Sequence, residues 1–132
     1  MSQDIFQKTL IPLLSKGLDV SMLRQRSTSA NIANATTPGY KRSEVRFEEQ
    51  LQQAVERWNL KGERTNAHHM ALGDRDLAQI QPEVLQPDDP ALPSGINNVD
   101  IDHEMAELAK NQLKYQLNIR DRKSTRLNSS HT

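Results

Sequence analysis

The chain has 132 residues, enough for one modest domain. Only 35% are hydrophobic and 4% aromatic, which leaves little apolar surface to offset a backbone entropy of about 1–2 kcal/mol per residue, so ordering on assembly is expected. The 17 basic and 17 acidic side chains cancel and there is no cysteine; this removes the general electrostatic case for nucleic acid or anionic lipid and excludes a disulfide framework or a thiolate metal site.

At the N-terminus, Asp4 and Lys8 surround a weak apolar run broken by Pro12. There is no basic leader, long apolar core or small-residue cleavage site, so no Sec signal peptide is read there. No stretch reaches the roughly 18–20 apolar residues of a membrane span. On these features alone, cytoplasm is the default location.

The first helical pattern follows. Ile11, Leu14, Leu18, Met22, Gln25, Ser29 and Ile32 recur at spacings of 3, 4, 4, 3, 4 and 3, which is one helical stripe. Pro12 and Gly17 weaken its first turns, so the helix is expected over Leu18–Asn34. Leu14, Leu18, Met22 and Ile32 are its candidate seam residues.

The helix runs into Ser29–Arg42, SANIANATTPGYKR. Thr37 precedes a proline and is pushed out of the helical region. Pro38 and Gly39 suit the two central positions of a type II turn, with Gly39 at positive φ. Tyr40 then leaves the turn at a set angle. By itself this is an ordinary helix end and corner.

A second, short amphipathic helix is expected from Phe47, with Leu51, Ala54, Val55 and Trp58 on one face, ending before Gly62. Residues 60–97 hold Gly62, Gly73, Gly95 and four of the six prolines. A mobile loop, a small β-element or an insertion that orders with a partner all fit this stretch. Gln79–Leu85 is the candidate strand.

The most regular pattern is the last. Ile101, Met105, Leu108, Gln112, Tyr115 and Ile119 are spaced by 4, 3, 4, 3 and 4, a heptad-like stripe suited to a helix–helix seam. Asp100 or Asp102 can cap its start. A lone helix of ~20 residues is marginal in water, so the stripe needs a partner, and the first helix is the obvious one. The stripe stops at residue 120. Residues 121–132, DRKSTRLNSSHT, hold one apolar side chain, Leu127. They read as a disordered tail, foreign to the helix before it or a natural polar end.

These elements give a mostly α fold. Antiparallel N- and C-terminal helices pair in a coiled-coil-like way, with a short middle helix and a loop-rich centre that has room for a small β-element. The expected segments are 1–42, 43–96, 97–120 and 121–132.

Catalytic chemistry finds no support. His68-His69 with His103 is a weak metal constellation, because adjacent histidines point apart in extended chain and no carboxylate stands at a ligand spacing. Asp88-Asp89 reads as a solvated loop. No phosphate loop or nucleophile elbow is present. No catalytic, cofactor or metal residue is assigned. A soluble helical adaptor that binds one partner helix is the other reading of the pattern.

ANIANATTPGYK strongly resembles the N-terminal signature of the flagellar rod, hook and hook-associated protein family, approximately ANNIANxxTPGY. Asn97–Gln116, NNVDIDHEMAELAKNQLKYQ, resembles the C-terminal signature of its short rod members. The resemblance covers roughly residues 10–120 and points to the proximal-rod type, with the neighbouring distal-type rod subunit as the nearest confusion.

It implies that Asn31, Asn34, Thr37, Pro38, Gly39 and Tyr40 form an N-terminal assembly motif. Asn98, Val99, Asp100, Met105, Leu108, Asn111, Gln112 and Tyr115 match the C-terminal one. It further implies paired terminal helices that meet neighbouring subunits in a tubular wall. The implied partners are other copies of the chain, other rod subunits and the flagellar type III export apparatus, with no nucleic acid, small-molecule substrate, cofactor or membrane insertion. The implied location is the periplasmic rod of the basal body, reached without a cleaved signal. Two departures stand out. Ser94-Gly95-Ile96 occupies a place where Asp-Gly is expected. The apolar pattern also ends early, at Asn118-Ile119-Arg120.

Overall fold

The computed structural model describes residues 2–65, 79–93 and 95–130. Among them, two long helices dominate. Helix α1 spans Ser2–Ala33, strand β1 Glu44–Arg46, helix α2 Glu48–Thr65, strand β2 Glu83–Leu85 and helix α3 Ile101–Ser130. The expected mostly α architecture with a small β-element is observed.

Helix α1 begins well before the expected Leu18. It runs through Pro12, giving up the backbone bond that a proline cannot donate. Gly17 also stays helical, and its lack of a side chain serves packing. A Cβ there would lie 3.1 Å from Asn118 Nδ2 of α3, so the helices approach closely at this point. Gly17→Leu is expected to cost about 1–3 kcal/mol through overpacking, read as a lower urea midpoint with an unchanged slope.

Helix α2 starts where Phe47 O accepts a bond from Leu51 N at 2.9 Å, with Glu48 and Glu49 in its favourable first turn. It passes Gly62 instead of stopping there, because a single glycine costs only about 1 kcal/mol in a helix. Arg24 of α1 binds both carboxylate oxygens of Glu48, one at 2.7 Å. That hydrogen bond from Arg24 holds the Glu48 carboxyl below its usual pKa, against the opposing effect of burial.

The expected strand over Gln79–Leu85 shrinks to its last three residues. They pair antiparallel with β1 in the register Glu44↔Leu85, Val45↔Val84, Arg46↔Glu83. Ile80 leaves the strand and joins Val20, Val45 and Phe47 in a small apolar core, against which Leu13, Leu23, Leu51 and Ala54 pack. The core therefore sits between α1, β1 and α2, to one side of the long helix pair.

Helix α3 is capped by Asp100, whose Oδ1 accepts from Asp102 N at 3.1 Å and His103 N at 3.4 Å. The disordered tail expected over 121–132 is corrected for 121–130, where α3 continues to Ser130; residues 131–132 lie outside the described residues. Arg120, Arg122 and Lys123 are good helix formers, no Gly or Pro interrupts, and Thr125 Oγ1 donates back to Asp121 O at 2.9 Å. Lack of apolar residues kept this segment exposed without unwinding it. No helix among the described residues is long and apolar enough to cross a membrane.

Helices α1 and α3 pack antiparallel, but the seam differs from the one expected. The covered row of α3 is Glu104, Leu108, Asn111, Tyr115, Asn118 and Arg122, again a 4-3 pattern but rotated. On α1 the buried face carries Val20, Ser21, Ser27, Thr28 and Asn31. Asn111 Nδ2 donates to Ser21 O at 2.7 Å. The pair is thus joined largely through polar groups.

Candidate assembly site

The predicted corner forms as the dipeptide chemistry requires. Tyr40 N reaches Thr37 O at 3.3 Å, with Pro38 and Gly39 between them and Gly39 at φ 75°. Asn34 closes the helix end: its Nδ2 donates to Ala30 O at 2.8 Å and its Oδ1 accepts from Thr37 Oγ1 at 3.2 Å. Thr37, Pro38 and Gly39 are exposed, while Tyr40 is half-buried.

Asn31 is the centre of the site and has no exposed surface. A carboxamide can donate two hydrogens and accept two bonds, and Asn31 uses all of them. Its Nδ2 donates to Ser43 O at 2.7 Å and to Glu104 Oε2 at 3.1 Å. Its Oδ1 accepts from Ser43 N at 2.9 Å and from Tyr40 Oη at 3.2 Å. One residue of α1 thereby ties the strand that leaves the corner to the first turn of α3. Ser27 Oγ adds a bond to Ser43 O at 2.9 Å.

Asn97, also buried, does the reciprocal work from the other half of the chain. A helix leaves its last carbonyls without partners. Asn97 Nδ2 lies 3.0, 3.1 and 2.9 Å from the carbonyls of Asn34, Ala35 and Thr37. Its Oδ1 accepts from Val99 N at 2.9 Å. Gly39 N donates to Ile96 O at 3.0 Å, and Arg42 N donates to Asn98 Oδ1 at 2.9 Å. The two signature segments, remote in sequence, are thus one hydrogen-bonded unit.

Arg42 supplies the charge. Its Nε donates to Glu104 Oε1 at 3.2 Å, and its terminal nitrogens reach Asp89 at 3.0 Å and Glu44 at 3.2 Å. Burial pulls the guanidinium pKa down, but the hydrogen bond and charge of Glu104, with Glu44 and Asp89, outweigh it, so the pKa stands above its ordinary value. The Glu104 side chain is only 3% exposed, and its two oxygens take their hydrogen bonds from Arg42 and Asn31.

The candidate seam residues divide. Leu18 is buried, and Leu14, Ile32, Leu108, Tyr115 and Ile119 are half-buried. Met22, Ile101, Met105 and Gln112 are exposed and do not join the α1–α3 contact. Ile101, Met105 and Gln112 of the stripe read from the sequence lie on a flank of α3, while Leu108 and Tyr115 share the row that faces α1. Leu113 and Leu117 are exposed as well. Asn97, Glu104, Arg42 and Ser43 are the contributors that apolar periodicity missed, and only their closeness to the two signatures could have flagged them.

His68 and His69 lie outside the described residues, as do the side chain of Trp58 and the rest of residues 66–78. His103 is exposed on the first turn of α3. Among the described residues no group of three His, Asp or Glu side chains could hold a metal ion.

An antiparallel helix pair, fastened at a polar corner and carrying unpaired apolar side chains on its outside, defines a helical structural subunit. No protein-family model matches the chain. Relatives do. The flagellar basal body rod protein FlgB of Yersinia ruckeri is 35% identical over 109 residues, covering 79% of this chain and 78% of that one. The FlgB of Bacillus subtilis (strain 168) is 34% identical over 119 residues, 90% and 88% of the two chains. That of Borrelia hermsii is 39% identical over 122 residues, 86% and 87%. The chain belongs to the FlgB family of flagellar basal body rod proteins.

Proposed function

We propose that the chain is built into the axial rod, packing its two long helices against other copies of itself and against other rod subunits to make a shaft that transmits torque. Family membership makes it a structural component of the basal-body rod. The finer reading is carried by one observation: Met105 and Leu113 are 55% and 59% exposed on a helix already paired along another face. Apolar side chains grouped on one element gain by burial, roughly 1.5–3 kcal/mol each. The Asn31, Asn34, Thr37, Pro38, Gly39 and Tyr40 motif serves this function by setting the direction of the helices. Export through the flagellar type III apparatus, without a cleaved signal, is the route that the resemblance implies.

Met105→Asp with Leu113→Asp is the test. Leu108 and Tyr115 are left unchanged because they serve the contact with α1. The variant is expected to be made at normal levels with the parent's helical circular dichroism, yet to leave cells non-motile. Normal swimming by that strain would reject the rod reading.

A further inference from the structure

Helix α3 has a second row of side chains beside the one that faces α1. His103, Glu107, Lys110, Lys114, Leu117 and Asp121 recur at spacings of 4, 3, 4, 3 and 4, and all six line a groove that runs along the seam. The opposite wall is made by Arg24 of α1, Val45 of β1, Phe47 and the first turn of α2. The groove has two halves, of about 440 and 380 Å³, which share Arg24, Glu48 and Lys114. The half nearer the corner is polar. The other is apolar, with Leu13, Val20, Phe47, Leu51 and Leu117 around it.

Charge in the polar half is unevenly matched. Three of its carboxylates are engaged by arginine: Glu48 by Arg24, and Glu44 and Glu104 by Arg42. The cations of α3 are not engaged in this way. Among the described residues His103 and Lys114 make no ion pair, and Lys110 has only an exposed contact with Glu107 at 4.0 Å. Asn111 lines the same half. It is 5% exposed, and among the described residues its Oδ1 has no hydrogen-bond partner. Buried polar atoms are seldom left in that state.

We propose that the groove docks an extended peptide segment of another protein. An apolar residue of the guest sits among Val20, Phe47 and Leu117, an acidic residue faces Lys110 and Lys114, and a backbone N–H reaches Asn111. From His103 to Asp121 the groove is about 27 Å long, the span of about eight residues of extended chain. A helix of that length, about 10 Å across, displaces roughly 2,000 Å³ and would stand mostly outside the two halves. Leu117 and Lys110 are about 10 Å apart along α3, so the apolar and acidic residues of the guest are about three positions apart. Turning the Asn111 carboxamide toward the groove offers its oxygen to the guest, while Ser21 O keeps its bond within α1. The site is separate from exposed Met105 and Leu113, and it does not depend on the rod reading that they carry.

The test titrates the purified full chain into a fluorescein-labelled Gly-Leu-Val-Gly-Asp-Glu-Gly peptide and reads anisotropy. Saturable binding is expected. Lys110→Glu with Lys114→Glu should weaken it about tenfold, and a peptide with Lys-Lys in place of Asp-Glu should bind that variant in preference to the parent. Replacing Leu-Val with Gly-Gly should weaken binding to the parent by about the same factor. Asn111→Leu should lower affinity about fivefold without lowering the urea midpoint, because it also removes an unpaired buried oxygen. All variants are expected to keep the parent's helical circular dichroism. Unchanged affinity in either variant, equal binding of the Gly-Gly peptide, or no saturable binding at roughly millimolar chain would overturn the proposal. Self-association that the lysine reversal abolishes, with no peptide binding, would give the groove to a second copy and also overturn it. Motility enters none of these readouts, so the rod reading is tested apart from them.

Discussion

Replacing Asn31 with alanine is expected to lower the thermal midpoint by about 10–20 °C. The side chain is wholly buried and makes four hydrogen bonds that join α1, the exit from the corner and α3. Alanine would leave the Ser43 backbone groups and one oxygen of Glu104 without their partner. Each buried polar group left so costs about 1–3 kcal/mol. Since Ser43 O keeps its bond from Ser27, the sum is put at about 3–5 kcal/mol. Asn31→Asp should be worse near neutral pH, because it removes both donors and sets a carboxylate against Glu104. Differential scanning calorimetry of the purified chain would decide the matter. A shift of only a degree or two in both variants would mean that the corner is not a stabilising unit in the free subunit.

Arg42→Met is the second large effect. It strips the guanidinium from Glu104, whose side chain is 3% exposed, and leaves a buried charge supported by Asn31 alone. Breaking one side of a buried pair costs about 3–5 kcal/mol, whereas replacing both sides with apolar groups is often close to neutral. The double variant Arg42→Met/Glu104→Leu should therefore regain most of the loss in a urea titration. An equal loss in the single and double variants would show that Arg42 acts through Asp89, Glu44 or its packing, and not through Glu104.

The corner was legible in the sequence because its chemistry is local. Proline before glycine allows few turns, and Gly39 takes the positive φ that the turn demands. The helices were legible as elements but not as an interface. Periodicity weighs apolar residues, and the α1–α3 seam is built from Ser21, Asn31, Glu104 and Asn111. A polar side chain reveals its partner only when the chain is folded, since Asn111 meets Ser21 across 90 residues of sequence. The helix ends were misplaced for a related reason. Pro12 and Gly62 disfavour a helix and the residues after Arg120 give it no apolar stripe, but none of these is decisive within a long helix.

Asn97 holds Thr37 across 60 residues, and Gly39 holds Ile96 beside it. Everything between is a ring of chain closed at a narrow neck. Lengthening such a ring is only weakly penalised: doubling it costs about 0.6 kcal/mol in closure entropy, less than the several hydrogen bonds at the neck supply. Insertions or deletions far from the neck should leave the direction of α1 and α3 unchanged, provided that Val45, Phe47 and Ile80 still reach their core. The same pair of helices can thus carry middles of different size, which makes the neck the part of the subunit least open to change.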